Sequence, residues 1–185
     1  MKKFKNLFNN NVKYFVLLTI ICFSLIAVFR PIVQKNIKAV SVSTKPDPAK
    51  KNLPIYCVDT DEKKVAISFD AAWGADDTDE LLTILANNDV KATFFLCGYW
   101  VDKYPEEVKK IYENGHEIGN HSNTHPHGTQ ISLEQNKKEI LEVHKKVKDL
   151  LGYDMDLYRP PFGEYNDTVL QAAKEVGYHT IQWDI

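Results

Sequence analysis

The chain has 185 residues, 44% of them hydrophobic, and a formal net charge of −2. That length holds one modest domain with an appendage, the apolar content suffices for a core, and the charge balance gives no basis for nucleic acid as a partner. Three cysteines exclude a disulfide framework and a zinc knuckle: Cys22 falls in an N-terminal apolar run, leaving Cys57 and Cys97 as one candidate pair for a bridge.

Residues 1–13 form a basic segment carrying Lys2, Lys3, Lys5 and Lys13. An uncharged apolar stretch follows over 14–29, closed by Arg30-Pro31 and extended by Ile32 and Val33. The run over 14–33 predicts one transmembrane helix serving as an uncleaved signal anchor, with Lys13 and Arg30 snorkelling to the interfaces. A cleaved signal peptide is the rival reading, with Ala39-Val40-Ser41 as its small-residue site, but that site lies far from the apolar run. The lysine bias puts the N-terminus in the cytoplasm. The expected location is therefore the cell membrane, single-pass, with the following domain extracytoplasmic. Residues 34–52 hold lysines, serines, Pro46 and Pro48 without periodicity and read as a linker.

The domain is expected over 53–185. Residues 54–58 and 65–69 are short β-rich runs joined by the polar segment 59–64, which predicts a hairpin. A helix is predicted over 77–88, with Asp76 or Asp77 as N-cap and Leu81, Leu82 and Leu85 inward. A buried strand over 91–96 and a helix over 105–114 follow, the latter with Pro105 in its first turn and Gly115 past its end. Residues 117–119 form a brief strand. The clearest helix spans 132–151: Ser132 and Gln135 make a capping box, Leu133, Ile140, Val143, Val147 and Leu150 keep helical spacing, and Gly152 stops it. A strand over 157–159, a helix over 167–176 and a strand over 178–183 complete the pattern. Such alternation predicts an α/β fold with parallel strands and crossover helices. It is still running at Asp184-Ile185, so the domain is expected to be incomplete at its C-terminus.

Three stretches carry chemistry. Asp70 ends an apolar strand, His121 and His125 stand four apart in a segment after a strand, and Arg159 precedes two prolines after another. Two imidazoles at that spacing can grip one metal ion. Each residue also has a structural reading: Asp70 as a turn cap, the histidines as surface residues, Arg159 as a salt-bridge partner. Their shared position at strand ends favours function, because β/α barrels gather catalytic groups there. His116 reads as a turn residue, His144 as a neighbour of the long helix's apolar face, and His179 as packing or solvent-facing. Tyr99, Trp100 and Tyr104 read as packing before sugar-stacking.

Together these residues resemble the polysaccharide deacetylase family, the NodB homology domain. Ser68-Phe69-Asp70 is similar to its first motif, usually Thr-Phe-Asp-Asp-Gly; His121-Ser-Asn-Thr-His125 and Arg159-Pro-Pro-Phe-Gly163 match the second and third. The variant Asp70-Ala-Ala-Trp-Gly74 resembles the branch found in spore-forming bacteria. The resemblance implies a distorted β/α barrel and hydrolysis of N-acetyl groups from an aminosugar polymer, with exported cell-wall peptidoglycan the expected substrate and partner. It implies Asp70 as general base, Arg159 orienting it, and His121 and His125 holding a divalent metal, Zn²⁺ in expectation. Phe162 and Tyr165 would add backbone to an oxyanion site, and Trp183 would wall the acetyl pocket. Two departures bear on this. The family's second aspartate, a metal ligand, is Ala71 here, leaving His127, Asp76, Asp77 or water to complete the shell. The family's acid histidine, in a late Leu-x-His motif, has no counterpart in this stretch, which predicts amine expulsion about 10²–10⁴-fold less efficient. Rival readings are a non-catalytic glycan-binding pseudoenzyme and an exported amidase. Oligomeric state is not legible.

Overall fold

A computed structural model of the chain describes residues 52–184. The basic segment, the anchor over 14–33 and nearly all of the linker over 34–52 lie outside the described residues.

Five short strands form one parallel sheet in the order β1-β2-β3-β4-β5: Ser68–Ala71, Thr93–Leu96, Glu117–Asn120, Leu157–Tyr158 and His179–Thr180. Each strand pairs in parallel with the next, Asp70 opposite Phe95, Phe95 opposite Gly119 and Asn120 opposite Tyr158. Parallel pairing requires crossovers, and helices provide them: α1 (Thr78–Asn87), α2 (Gly98–Lys103), α3 (Pro105–Glu113), α4 (Leu133–Leu151) and α5 (Asp167–Glu175).

The apolar periodicity of these helices explains where the core sits. Val108 and Ile111 of α3, Ile140, Val143 and Val147 of α4, and Val169 and Ala173 of α5 pack on Phe94, Leu96 and Ile118 of the sheet. Strand β2 alternates faces. Phe94 and Leu96 join this cluster, while Phe95 faces the other side and becomes the floor of a polar cleft. The capping box of α4 forms as predicted: the Gln135 N–H donates to the Ser132 hydroxyl, and Gly152 ends the helix at φ 70°.

Two local expectations fail. Residues 54–58 and 65–69 do not form a hairpin; Ile55 instead bridges Ile181 in parallel, its N–H donating to the Thr180 carbonyl at 2.8 Å. The segment extends the far edge of the sheet, where the Ile55 carbonyl also accepts the Gln182 N–H at 2.8 Å. Residues 98–103, absent from the predicted elements, form α2, a helix of six residues too short to show periodicity.

Candidate active site

The ends of four strands converge on one cleft. Asp70, on β1, carries a side chain one-third exposed (33%), and Arg159, immediately after β4, is buried. Arg159 Nη1 donates to Asp70 Oδ1 at 2.8 Å. The guanidinium carbon lies over the Phe95 ring, 4.1 Å from its centroid, and 5.7 Å from that of Trp183. Gly119 makes this possible, since a Cβ there would stand 2.4 Å from the Phe95 ring. The arginine is thus held by a carboxylate at its tip and a π face beneath, and its buried Nε has no partner among the described residues.

His121 follows β3, and its neighbour Asn120 is fully buried. The Asn120 amide donates to the Ile140 carbonyl at 2.8 Å and accepts the Ser122 N–H at 3.0 Å, tying the histidine loop to α4. Ser122 and His125 both take positive φ, 65° and 55°. Non-glycine residues in that region cost about 1–3 kcal/mol each, which local bonds must offset. The Ser122 hydroxyl accepts the His125 N–H at 3.0 Å, and Thr124 and Asn123 donate to Glu139 and Glu142 of α4.

His121 Nδ1 stands 2.7 Å from the Arg159 carbonyl oxygen. A carbonyl only accepts, so Nδ1 carries the hydrogen and Nε2 presents a lone pair to the cleft, 3.7 Å from Asp70 Oδ2. A ring held this way is prepared to ligate a cation. Burial holds the His121 imidazole below its ordinary pKa, against the opposing pull of Asp70 and the carbonyl bond. Burial lowers His125 as well. Both rings therefore favour the neutral, ligating form.

A third donor comes from a residue that sequence reasoning passed over. One ligand atom each from Cys97, His121 and His125 lie within 4.8 Å of one another. Cys97 is fully buried directly after β2, and its thiol donates to the His121 carbonyl at 3.4 Å. Cys57 is exposed and both cysteines are free, so the candidate bridge does not form. A single cysteine in an apolar run reads as core; the available signal was its place just after a strand, shared with His121 and Arg159. His127 is not in this group: its Nδ1 pairs with Glu164 at 3.0 Å and its ring stacks on Phe162 at 4.2 Å. Asp76 and Asp77 are not in it either. Two imidazoles and a thiol form a donor set that fits a divalent cation of borderline softness.

Aromatic side chains rim the cleft. Phe162, 53% exposed and at φ 59°, meets the His125 ring edge-on at 4.5 Å. Trp183 packs against Gly163, where a Cβ would approach the indole to 2.5 Å, and Gln182 donates to the Gly163 carbonyl at 2.7 Å. The Tyr165 hydroxyl shares a hydrogen bond with that of Tyr56 at 2.9 Å, while its backbone N–H has no acceptor among the described residues. Trp73, 83% exposed, stands 6.3 Å from the His125 ring and was not singled out from sequence. Trp100 is buried with its indole N–H donated to Gly74, in keeping with packing. His116 accepts the Ala92 N–H at 3.2 Å, His144 bonds Tyr178 at 2.6 Å, and His179 is exposed.

Comparison with known proteins identifies the family. The family profile described as polysaccharide deacetylase matches residues 58–181. The peptidoglycan-N-acetylmuramic acid deacetylase PdaA of Bacillus subtilis is 33% identical over 78% of this chain and 59% of its own length. A peptidoglycan-N-acetylglucosamine deacetylase of Bacillus cereus is 38% identical over 68% of this chain and 59% of its own. Among solved structures, a wild-type pseudoenzyme of carbohydrate esterase family 4 from Bacillus anthracis superposes with TM-score 0.69 at 31% identity, covering 72% of this chain and 48% of that one. A mutant of that pseudoenzyme with restored enzymatic activity superposes equally, TM-score 0.69. The chain spans about half the length of the curated relatives it matches.

Proposed function

The chain belongs to the polysaccharide deacetylase family, and from that premise we propose that its domain hydrolyses N-acetyl groups of cell-wall peptidoglycan with a divalent metal, Zn²⁺. The observation that carries this reading is the Asp70–Arg159 pair at 2.8 Å, set 3.7 Å from His121 Nε2. Base, orienting cation and ligand are thereby within one small volume. The sequential parallel order of the strands supports a distorted β/α barrel around it.

His121 and His125 would hold the metal, which when bound polarises the acetamide carbonyl and stabilises the developing oxyanion. Asp70 Oδ1 is engaged by Arg159, leaving Oδ2 to accept the proton of the attacking water. Arg159 fixes the carboxylate's plane, and its own carbonyl fixes the His121 ring, so one residue orients both groups. The Tyr165 N–H is available to a second oxyanion bond, and Phe162 and Trp183 offer apolar walls to the acetyl methyl. Collapse expels the sugar amine, which takes a proton; Asp70 holds one after the water's attack. Acetate and a free amine result.

The apolar run over 14–33 with lysines before it supports a single-pass anchor that leaves the domain outside the cytoplasmic membrane, facing the wall. A second reading, glycan binding without hydrolysis, is favoured by two observations: Ala71 stands where the family carries a ligand carboxylate, and a similar structure is that of a pseudoenzyme. Acetate release from peptidoglycan and chitin oligomers by the zinc-supplied chain decides between them. Acetate that vanishes in a folded His121→Ala variant supports hydrolysis. Its absence from a folded, zinc-loaded protein leaves binding alone. Release of peptide amine in place of sugar amine would instead indicate an amidase.

A further inference from the structure

Ala71 and Cys97 are neighbours across the β1–β2 pair: the Cys97 N–H donates to the Ala71 carbonyl at 3.1 Å, just past the register partner Leu96. The thiol therefore rises from the adjacent strand end at the level where the carboxylate of the family's first motif is missing. We propose that Cys97 is the third protein ligand of the metal at this site, bound as a thiolate alongside His121 and His125. The inference rests on the reading that these two histidines hold a metal.

Three observations converge on it. First, Cys97 is not alone: its Sγ and one nitrogen of each imidazole lie within 4.8 Å of one another. Donors sharing a tetrahedral zinc sit roughly 3.3–3.7 Å apart, from bond lengths of about 2.0–2.3 Å, so the triad need close only by about an ångström. Second, the His121 ring is locked by the Arg159 carbonyl with its Nε2 lone pair free, an orientation that core packing does not require. Third, the hydrogen bond from the thiol to the carbonyl of His121 is long, 3.4 Å, and ligation can replace it. On binding, the S–H bond breaks, its electron pair forms the metal–sulfur bond, and the proton leaves to water. A sulfur donor also changes which ion the site takes. Thiolate with two imidazoles favours zinc, cobalt and cadmium over magnesium and manganese, whereas a carboxylate in that place would not discriminate so sharply.

The test uses the full chain carrying Cys22→Ser and Cys57→Ser, in which Cys97 is the only cysteine of the three. Cobalt(II) is titrated in and the absorption spectrum read. Visible ligand-field bands of a tetrahedral ion together with a near-ultraviolet sulfur-to-cobalt charge-transfer band are expected. Adding Cys97→Ala should abolish the charge-transfer band and weaken cobalt affinity by at least about tenfold while the protein keeps its circular dichroism. Ligand-field bands without charge transfer in the Cys97-containing chain would overturn the proposal and leave the two-histidine site standing. No ligand-field bands at all would overturn both. X-ray absorption on the zinc-loaded, Cys97-containing chain reads the same bond without a core substitution: one sulfur at about 2.3 Å supports the assignment, and a shell of nitrogen and oxygen alone overturns it.

Discussion

The floor and the rim of the cleft are built on different terms. Arg159, His121 and Asn120 on the floor are at most 5% exposed, and each is fixed by backbone carbonyls or a charged partner. On the rim, Trp73, Phe162 and Trp183 are 83%, 53% and 44% exposed and touch one another's surroundings mainly through ring contacts. Floor residues have one allowed geometry, set before any ligand arrives, as electrostatic catalysis requires. Rim residues offer area with little commitment, which suits a long and variable polymer. Substitutions on the two should differ in size and kind.

The largest effect is expected at His121. His121→Ala removes a ring whose orientation is already determined, and should lower metal affinity by more than the ~10–100-fold typical of a lost supporting bond. Isothermal titration with zinc checks this, and acetate release should fall with it. Arg159→Lys comes next. A lysine cannot span the Phe95 face and the Asp70 carboxylate together, so the loss is bounded above by the about 3–5 kcal/mol that removing one member of a buried pair outright would cost. Because Asp70 is one-third exposed, the loss in urea denaturation should sit at or below the lower bound. Wild-type stability in this variant would mean that the pair is merely placed, not coupled. Asn120→Ala should cost about 1–3 kcal/mol, since it orphans the buried Ser122 N–H and removes the side-chain bond to the Ile140 carbonyl that ties the histidine loop to α4.

Acid should loosen the floor before the rim. Burial holds folded His121 below the ordinary histidine pKa, so between that ordinary value, about 6.5, and its lower folded value the unfolded chain binds a proton that the folded chain refuses. Stability of the metal-free protein therefore falls as pH drops through this window, by at most about 1.4 kcal/mol per pH unit for this residue, and is intact above it. Urea midpoints measured from pH 7.5 downward should show the decline, and His121→Asn should flatten it. An unchanged slope would place the acid-sensitive group elsewhere.

Much of this floor was legible from sequence because local chemistry announces it. A carboxylate ending an apolar strand, two histidines at a ligating spacing and an arginine before prolines all sit where parallel strands end, and the structure gathers them. The long helix was legible from a capping box and unbroken spacing. What escaped depends on contacts between residues distant in sequence. Ile55 finds Ile181, not the neighbouring strand, and no local pattern encodes that choice. Cys97 becomes a candidate ligand only because β2 lies between β1 and β3, beside Ala71 on one side and His121 on the other. Helix α2 is too short for its periodicity to speak.

The rim supplies the smallest effect and the sharpest contrast. Trp73 contacts the Tyr99 ring at 6.4 Å and the His125 ring at 6.3 Å, and most of its surface faces water. Trp73→Ala should leave stability within about 0.5 kcal/mol, because little buried apolar area is lost. If the indole stacks on a sugar ring of the bound polymer, an aromatic contact of about 0.5–1.5 kcal/mol is removed equally from bound substrate and transition state, raising KM roughly two- to tenfold with kcat unchanged. A fall in kcat on the polymer would mean that Trp73 acts through His125 on the reacting centre, and the division between a committed floor and an adaptable rim would fail at that residue.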